Sequence, residues 1–337
     1  MTGTRITSTV DFERNGRQTG FLRLPHSVHE SAYGWIPIPV ACIKNGSGPT
    51  VLLSSGNHGD EYEGQVTLMK LVRELKPEQV QGRIVFLSAA NFPAALAGRR
   101  TSPIDGGNLN RSFPGDPDGT PTKMIAHYID TVILPLCDFA FDLHSGGSSL
   151  MYVPSALGTI FPGEPGRNTR TVELLKAFGA PIAYLAKQPV AMGSDQTLGA
   201  SAARRGALHL GTELGGSGTV TPSILRLAEA GTRRALKHTG VLPEISVEPS
   251  PGTRLMEVGG PDYYVYASES GVFEPLVELG DTVKEGEPAA AIHFSHTPWR
   301  EPEVVRFEHD GVVLCKRIPA RTERGDCLFH LGTDYRP

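Results

Sequence analysis

Two histidines and one glutamate in this sequence have the types and the surroundings of a zinc site. His58 and Glu61 lie three residues apart after the apolar run 51–53, and His144 ends the apolar run 139–143. Two imidazoles and one carboxylate form a ligand set that leaves zinc an open fourth position for water. The set therefore predicts a hydrolytic centre with one zinc per chain, and it leaves other divalent metals open.

Small residues flank both histidines, and the other nine of the eleven histidines lack this context. Gly56 and Gly59 surround His58, and Ser145, Gly146 and Gly147 follow His144. Glycine permits positive φ angles and a close approach of the backbone to a ligand. The pattern singles out these two histidines as ligands and favours surface or core positions for the others.

A carboxylate lies two residues before His144, and another follows a different apolar run. Asp142 either holds the His144 ring by a hydrogen bond or is a solvated or capping residue. Glu213 follows the apolar run 207–210 and precedes two glycines. A carboxylate beside a metal can act as the general base. The alternative for Glu213 is a cap on the following loop.

The segment 91–119 is rich in Gly, Pro and Asn and is predicted to be a long functional loop. Arg111 presents a planar fork of donors suited to a substrate carboxylate, and Asn110 can add another donor. Upstream, Arg99 or Arg100 could polarise the scissile carbonyl and hold its oxyanion. The alternative for these two arginines is a solvated surface position.

Alternating apolar runs and helix-spaced segments predict the elements that must hold these residues. Strands are expected at 51–55, 83–89, 138–143, 181–186 and 207–213, and helices at 61–75, 121–135, 168–178, 196–205 and 224–238. The first helix rests on the spacing of Val66, Met69 and Val72. This alternation indicates an α/β fold with a mixed sheet flanked by helices, in which ligands bind at the carboxyl ends of strands.

The two ends of the chain lack the alternation of apolar runs and helix-spaced segments. Residues 1–50 are predicted to form short strands and turns, with Pro37 and Pro39 as breaks. A proline-rich stretch near 242–252 reads as a linker, and beyond it short strands and glycine turns predict an all-β unit. We therefore expect a catalytic α/β domain at 1–245 and a small C-terminal β domain at 253–337.

Charge and composition exclude several function classes. The net charge of −4 and the absence of a long basic run argue against nucleic-acid and membrane partners. The four cysteines form no CxxC pair, which favours isolated thiols in a reducing compartment. The sequence lacks an apolar signal segment and a membrane-length run, so a cytoplasmic protein is expected.

Together these residues resemble the succinylglutamate desuccinylase/aspartoacylase family, a branch of the zinc carboxypeptidase-like hydrolases. The resemblance covers most of residues 45–240. Four motifs in the family order carry it: His-Gly-Asp-Glu at 58–61, Asn-Leu-Asn-Arg at 108–111, Asp-Leu-His-Ser-Gly-Gly at 142–147 and Thr-Glu-Leu-Gly-Gly at 212–216. The resemblance implies a zinc-dependent amidohydrolase that acts on a small N-acyl amino acid.

The family pattern also implies roles for individual residues. It makes His58, Glu61 and His144 the zinc ligands. It makes Glu213 the general base, and it makes Asn110 and Arg111 the pair that holds the substrate carboxylate. It makes Arg100 the oxyanion arginine. Arg99 stays an alternative, because the loop between the motifs cannot be aligned uniquely.

Within the family, the text at 57–64, 100–105 and 108–115 is similar to the subgroup that deacetylates Nα-acetyl-L-2,4-diaminobutyrate in ectoine breakdown. That resemblance implies a substrate with a free γ-amine, for which Asp195 is a candidate partner. The alternatives are an aspartoacylase- or desuccinylase-type deacylase, a metallocarboxypeptidase, and a non-catalytic binding protein with this fold. The sequence leaves open whether the chain forms a homo-oligomer.

The C-terminal segment resembles a biotinyl/lipoyl-carrier β-sandwich, in the text at 270–275, 279–286 and 310–313. Carriers present a lysine in a hairpin between their two halves, whereas 293–300 contains none. We therefore expect no covalent cofactor and a structural role that covers or narrows the mouth of the active site. Tyr263, Tyr264 or Tyr266 could reach the substrate, with core or surface packing as the alternative.

Overall fold

Strands alternate with helices through the first two-thirds of this computed structural model, which describes residues 3–187 and 194–336. The described helices are α1 Tyr62–Glu74, α2 Phe92–Ala97, α3 Pro121–Tyr128, α4 Pro165–Phe178, α5 Leu198–Arg204 and α6 Pro222–His238. The strands up to the last helix are β1 Thr7–Ser8, β2 Gly16–Pro25, β3 Trp35–Asn45, β4 Thr50–Ser55, β5 Gly82–Leu87, β6 Phe139–His144, β7 Leu150–Tyr152, β8 Ser155–Ile160, β9 Ile182–Lys187 and β10 Leu208–Glu213.

Among the described residues, the chain after α6 contains strands, turns and one three-residue 3-10 helix, Pro261–Tyr263. These strands are β11 Arg254–Val258, β12 Tyr264–Tyr266, β13 Gly271–Pro275, β14 Thr282–Val283, β15 Pro288–His293, β16 Glu303–Arg306, β17 Gly311–Arg317, β18 Arg321–Thr322 and β19 Cys327–Asp334. The predicted change from α/β to all-β texture is therefore present.

One large mixed sheet runs through the molecule. Its order is β1-β2-β3-β5-β4-β6-β10-β8-β9-β11-β19-β17-β14, with β12 and β7 attached to β19 and β17. Strand β4 pairs in parallel with β5 and β6, and β6 with β10, whereas β3 and β5, and β10 and β8, are antiparallel. A second, antiparallel sheet has the order β16-β15-β13-β18. The predicted fold class is confirmed.

Alternate residues of the central strands bury their side chains on opposite faces of the sheet. In β4, Val51 and Leu53 join the core under α1, α4 and α6, whereas Leu52 joins the core on the side of α3 and α5. Successive side chains of a strand point to opposite faces. All six residues of β4 are buried, and its apolar run at 51–53 is what a strand between two helical layers requires.

Helix α1 lies where it was predicted, but its buried face differs from the expected one. Leu68 and Leu71 are buried in the core, whereas Met69 is 40% exposed. Val66 and Val72 are half-buried at the border of that face. The sequence spacing predicted the period of the helix correctly, but the choice of face depends on the strands against which the helix packs.

Two expectations about irregular segments are wrong. Pro37 and Pro39 lie inside the eleven-residue strand β3, which pairs with β2 from Trp35 to Lys44 but with β5 only from Ala41 onward. The prolines thus occupy the part of β3 with one open side, where a missing N–H is tolerated. The predicted loop 91–119 contains helix α2, with Pro93 in its first turn and Gly98 as a left-handed C-cap.

The division at 245/253 remains a prediction, and the structure describes hydrogen bonding across it. Strand β11 pairs in parallel with β9, and β7 pairs with β17. The C-terminal strands have their own apolar core as well, which includes Phe273, Phe307 and Phe329. The C-terminal unit is therefore joined to the catalytic half along the edge of the main sheet.

Two further findings bear on the predicted compartment and partners. All four cysteines are free, as the sequence predicted. Within residues 3–187 and 194–336, no helix combines the length and the apolar character needed to cross a membrane.

Replacing Phe178 with alanine should lower the free energy of unfolding by about 3–5 kcal/mol. Phe178 ends α4, is fully buried, and its ring lies so close to Gly231 of α6 that a Cβ there would come within 2.7 Å of it. The cavity would therefore open between two helices. Urea unfolding of the variant measures the loss. Leu96→Ala, at a residue 73% exposed, is the control; an equal loss in both variants would contradict the assignment of this core.

Candidate active site

Three neighbouring strands bring the predicted site residues to one edge of the sheet. Strands β4, β6 and β10 lie side by side and run parallel. His144 ends β6 and is paired in register with Glu213, which ends β10. His58 and Glu61 lie in the connection from β4 to α1. All four residues are therefore at the carboxyl ends of adjacent strands, the usual position of a ligand site in an α/β sheet.

The Glu61 carboxylate lies between the two imidazoles. Its Oε1 is 2.6 Å from Nδ1 of His58, and its Oε2 is 2.7 Å from Nδ1 of His144. One potential ligand atom from each residue lies within 4.8 Å of the others. The side chains of His58, Glu61 and His144 are 4%, 3% and 11% exposed. The structure thus brings the three predicted ligands together in a buried cluster.

The outer nitrogen of each ring faces an oxygen acceptor. Nε2 of His144 is 2.8 Å from Oδ2 of Asp142, and Nε2 of His58 is 3.1 Å from Oδ1 of Asn108. Asn57 Nδ2 donates to both oxygens of Asp142, at 2.8 and 2.9 Å. Such partners orient the rings, and a proton on Nε2 of each ring would leave its Nδ1 lone pair free to bind a cation.

This tautomer favours positive charge between the rings and Glu61, supplied by protons, by the nearby Arg100 or by a metal ion. In neutral imidazoles, both Nδ1 lone pairs would point at carboxylate oxygens, which are also acceptors. Two nitrogens and a carboxylate oxygen match the donors that zinc prefers, and the outer hydrogen bonds match the usual partners of ligating histidines. The residues present therefore fit a zinc ion.

The pKa shifts of Glu61 and His144 also favour positive charge beside the Glu61 carboxylate. Burial alone would raise the pKa of Glu61, but the charges and hydrogen bonds of His58 and His144 hold it well below its usual value. Burial alone would lower the pKa of His144, but Asp142 and Glu61 raise it well above the usual range. Burial lowers the pKa of His58. Without a metal, the cluster favours a proton on His144.

Glu213 is placed beside this cluster with one oxygen unused. Its Oε2 is buried and has no hydrogen-bond partner among the described residues. Burial, followed by the charge of Glu61, raises the pKa of Glu213 to about 8. A carboxylate in this environment has an affinity for protons suited to acid–base chemistry.

The arginine loop reaches the cluster through Arg100. Arg100 NH1 lies 3.4 Å from Glu61 Oε1 and 3.3 Å from His58 Nδ1, while its side chain stays 46% exposed. Arg99 contributes its carbonyl oxygen, which accepts a hydrogen bond from Gly59 N at 2.8 Å. A Cβ on Gly59 would lie 2.0 Å from the backbone of Ala94. Only glycine permits this approach of the loop to the His58 turn.

Asn110 and Arg111 lie at the opposite rim of the cluster. Asn110 Nδ2 is 3.2 Å from Nε2 of His144, and its Oδ1 accepts from Leu198 N at 2.9 Å. Arg111 is exposed, and its NH1 donates to the Asn110 carbonyl at 2.7 Å. Although the residue as a whole is exposed, partial burial of its guanidinium, followed by the charge of Arg100, lowers the pKa of Arg111. The two arginines therefore contribute positive charge to the same mouth.

Some residues that shape the site were not singled out from the sequence. Asn108 contacts Nε2 of His58, and Asn57 hydrogen-bonds Asp142, the partner of His144. Both asparagines lie in motifs that were recognised in the sequence. Asp60 Oδ2 accepts from Ser148 N at 2.8 Å and Ser148 Oγ at 2.7 Å, which fixes the turn after His144. Their amide and carboxylate side chains next to ligand residues were the available signal.

Two other features lie apart from the cluster. Asp195, the candidate partner of a substrate amine, is exposed, and its contact among the described residues is its carbonyl oxygen with Arg204. A cleft of about 420 Å³ is lined by residues of β11, β14, β17 and β19 and by none of the cluster. Its charged side chains pair with one another, as Lys284 does with Asp310. The cleft is therefore not the site of the predicted chemistry.

The fold and the cluster point to the class of deacylases, and comparison with known proteins establishes that the chain is such an enzyme. The catalytic-domain model of the succinylglutamate desuccinylase/aspartoacylase family matches residues 47–239. The chain belongs to this family, which confirms the resemblance carried by the four motifs.

Relatives with function-related names match nearly the whole chain. The N-alpha-acetyl-L-2,4-diaminobutyric acid deacetylase of Halomonas elongata is 43% identical over 324 residues, 96% of this chain and 93% of the relative. A succinylglutamate desuccinylase/aspartoacylase structure from Rhodobacter sphaeroides has a TM-score of 0.92 at 42% identity, covering 98% of this chain and 100% of the other. The product-bound ectoine utilization protein EutE (DoeB) from Ruegeria pomeroyi has a TM-score of 0.92 at 38% identity, covering 98% and 99%.

Proposed function

We propose that this chain is a zinc-dependent deacetylase that hydrolyses the linear amide of Nα-acetyl-L-2,4-diaminobutyrate in ectoine catabolism. The observation that carries the proposal is the buried carboxylate of Glu61 between two Nδ1 atoms, at 2.6 and 2.7 Å, an arrangement that suits a divalent cation. The full-length similarity to the Halomonas elongata deacetylase supports the substrate. The similarity to an ectoine utilization protein supports the pathway.

His58, Glu61 and His144 would hold the zinc ion, with Asp142 and Asn108 orienting the two rings. Zinc bound there would supply Lewis acidity for the amide carbonyl and a water whose pKa is near neutrality. The buried position of the ligands excludes bulk water from this side of the site, which strengthens every electrostatic interaction within it.

Glu213 acts as the general base and then as the general acid. It accepts a proton from the attacking water and delivers it to the nitrogen of the leaving amine. Its position supports both transfers, because it ends the strand adjacent to His144 and has an oxygen without a partner among the described residues. Its raised pKa lets it hold the proton between the two steps.

The arginines position the substrate at the mouth of the cluster. Arg100 lies within 3.4 Å of Glu61 and is placed to donate to the carbonyl oxygen as negative charge develops on it. Arg111 and Asn110 hold the substrate carboxylate, which fixes the amide relative to the cluster. Arg100 is preferred over Arg99 because the side chain of Arg100 faces the ligands, whereas Arg99 contributes its carbonyl oxygen to the turn at Gly59.

We propose the small N-acyl amino acid as the ligand of this protein and the cytoplasm as its compartment. The C-terminal unit would narrow the mouth of the site, since β7 and β9 of the catalytic half pair with β17 and β11.

A paired measurement tests the proposal: metal content of the purified protein, and amine release from Nα-acetyl-L-2,4-diaminobutyrate with and without a chelator. We expect about one zinc per chain and release that stops on chelation and returns on adding zinc. Zinc without release would shift the substrate to N-acetyl-aspartate, succinyl-glutamate or a short peptide, each assayed in parallel. Absence of both metal and hydrolysis would favour a binding protein with this fold.

Arg111→Lys should raise KM for carboxylate substrates about 10-fold or more and leave kcat nearly unchanged. A single ammonium cannot reproduce the paired donors of a guanidinium. Steady-state kinetics on the acetylated amino acid measure the effect. Arg99→Lys, in the neighbouring part of the same loop, serves as the control. An unchanged KM for Arg111→Lys would remove this residue from the pair that holds the substrate carboxylate.

A further inference from the structure

A row of side chains connects the candidate active site to the C-terminal unit. Tyr152 of β7 is paired with Cys315 of β17, Cys315 with His330 of β19, and His330 with Tyr264 of β12. Residues paired directly across strands place their side chains on the same face of a sheet. The row therefore runs from the turn after His144 into the C-terminal strands.

The rings at these positions pack around His330. Its imidazole stacks on Tyr264, with centroids 4.4 Å apart and planes 5° from parallel. Tyr184 of β9 approaches it edge-on at 5.9 Å, and Tyr152 at 6.3 Å. We call these four residues, Tyr152, Tyr184, Tyr264 and His330, the tyrosine–histidine cluster. Each half of the chain contributes two of its members.

His330 has no packing reason to be a histidine. It is 3% exposed, and neither ring nitrogen has a hydrogen-bond partner among the described residues. Burying polar groups without partners costs free energy, and a phenylalanine would make the same ring contacts without that cost. Burial lowers the pKa of His330 to about 4, so the ring is neutral at neutral pH. A neutral, unpartnered imidazole inside a ring of tyrosines suggests a ligand nearby.

The cluster is adjacent to Glu213. Tyr152 N donates to the carbonyl of Gly215 at 3.0 Å, two residues beyond Glu213. Burial is the main reason that the pKa values of Tyr152 and Tyr184 are raised well above the usual range, and the charge of Glu213 contributes to both shifts. Three aromatic hydroxyls thus share their surroundings with the carboxylate that we propose as the base, since the same charge also acts on Tyr264.

We propose that the tyrosine–histidine cluster is the subsite for the primary ammonium group of the substrate side chain. This subsite rests on the proposed function, and it would select a substrate with a cationic side chain over one with a neutral side chain. Ring faces of tyrosine attract ammonium groups, and the attraction grows as water is excluded. The free amine of a 2,4-diamino acid is only a few bonds from the amide nitrogen that Glu213 serves. A neutral His330 adds a ring to this subsite without repelling the cation.

The test compares Nα-acetyl-L-2,4-diaminobutyrate with Nα-acetyl-L-norvaline, which has a methyl group in place of the ammonium. The wild-type enzyme should prefer the cationic substrate. Tyr264→Leu should reduce the ratio of the two kcat/KM values about 3- to 30-fold, mainly through KM for the cation. Tyr264→Phe keeps the ring face and should preserve most of the ratio. Tyr184→Leu is the second variant, should Tyr264→Leu fail to fold.

Calorimetric binding of the free amino acids separates failure of this inference from failure of the proposed function. Wild type should bind L-2,4-diaminobutyrate more tightly than L-norvaline, and Tyr264→Leu should reduce that difference. Selective binding without turnover of the acetylated compound would overturn the proposed function and keep the subsite. Equal binding of the two amino acids, or equal loss for both substrates in the leucine variants, would overturn the subsite and assign the cluster to packing.

Discussion

Glu213→Gln should lower kcat about 10²- to 10⁴-fold while zinc content and KM change little. The amide side chain keeps the size of the carboxylate but cannot accept the proton of the attacking water. The residue ends β10 in register with His144 and is not one of the three residues of the metal cluster. Its loss should therefore affect the chemical step and leave the metal in place. Stopped assays of amine release, with metal analysis on the same sample, measure both quantities.

Glu63→Gln provides a matched control for this experiment. Glu63 is also a buried glutamate near the ligands, and burial raises its pKa to about 7. The proposed chemistry does not use it. We expect activity within a few-fold of wild type. A similar loss of kcat in both variants would mean that activity depends on any buried carboxylate near Glu61. That result would contradict the role of Glu213 as the base.

The sequence predicted the ligand cluster because each member is recognisable locally. His58 and His144 each follow an apolar run and lie beside glycines, and Glu61 is three residues beyond His58; Glu213, outside the cluster, follows a similar run, and such runs end at the same edge of a parallel sheet. The adjacency of β4, β6 and β10 could not be derived in this way. It depends on which strands pair, and pairing is decided by contacts between segments far apart in the chain.

The parts of the site that depend on loops were less accessible to sequence analysis. The conformation of the loop decides which of two neighbouring arginines faces His58 and Glu61, and here it is Arg100, while Gly59 packs closely on Ala94. Helix α2 was missed because the Gly, Pro and Asn content of residues 91–119 was interpreted as a loop, whereas a proline in the first turn of a helix, such as Pro93, costs no hydrogen bond. Local composition is ambiguous at both positions, and tertiary packing resolves it.

The junction with the C-terminal unit was the feature least visible in the sequence. The three-residue strand β7 has no alternating pattern long enough to predict a partner, yet it pairs with β17. This pairing places Tyr152 in register with Cys315 and, through it, with His330. A proposed role for the C-terminal tyrosines thus depends on long-range register, which no single segment encodes.

His144→Ala should release the metal. Nδ1 of His144 lies 2.7 Å from Glu61, so the ring supplies one of three predicted ligand atoms. Changes in the outer shell of a zinc site cost 10- to 100-fold in affinity, so loss of a ligand should cost more than about 100-fold. Metal analysis after dialysis, with competition by a chromophoric chelator, measures the affinity, and circular dichroism monitors folding. Full retention of zinc would remove His144 from the ligand set.

Asp142→Asn and His293→Ala are the control variants for the loss of metal affinity in His144→Ala. Asp142 holds Nε2 of His144 at 2.8 Å and is expected to orient the ring rather than bind the metal, so its variant should lose about 10- to 100-fold in affinity. His293 is an exposed histidine paired with Glu274 and should have no effect. A graded order, with His144→Ala largest and His293→Ala null, is what a ligand with an orienting carboxylate predicts. Equal losses for Asp142→Asn and His144→Ala would instead place the aspartate itself on the metal.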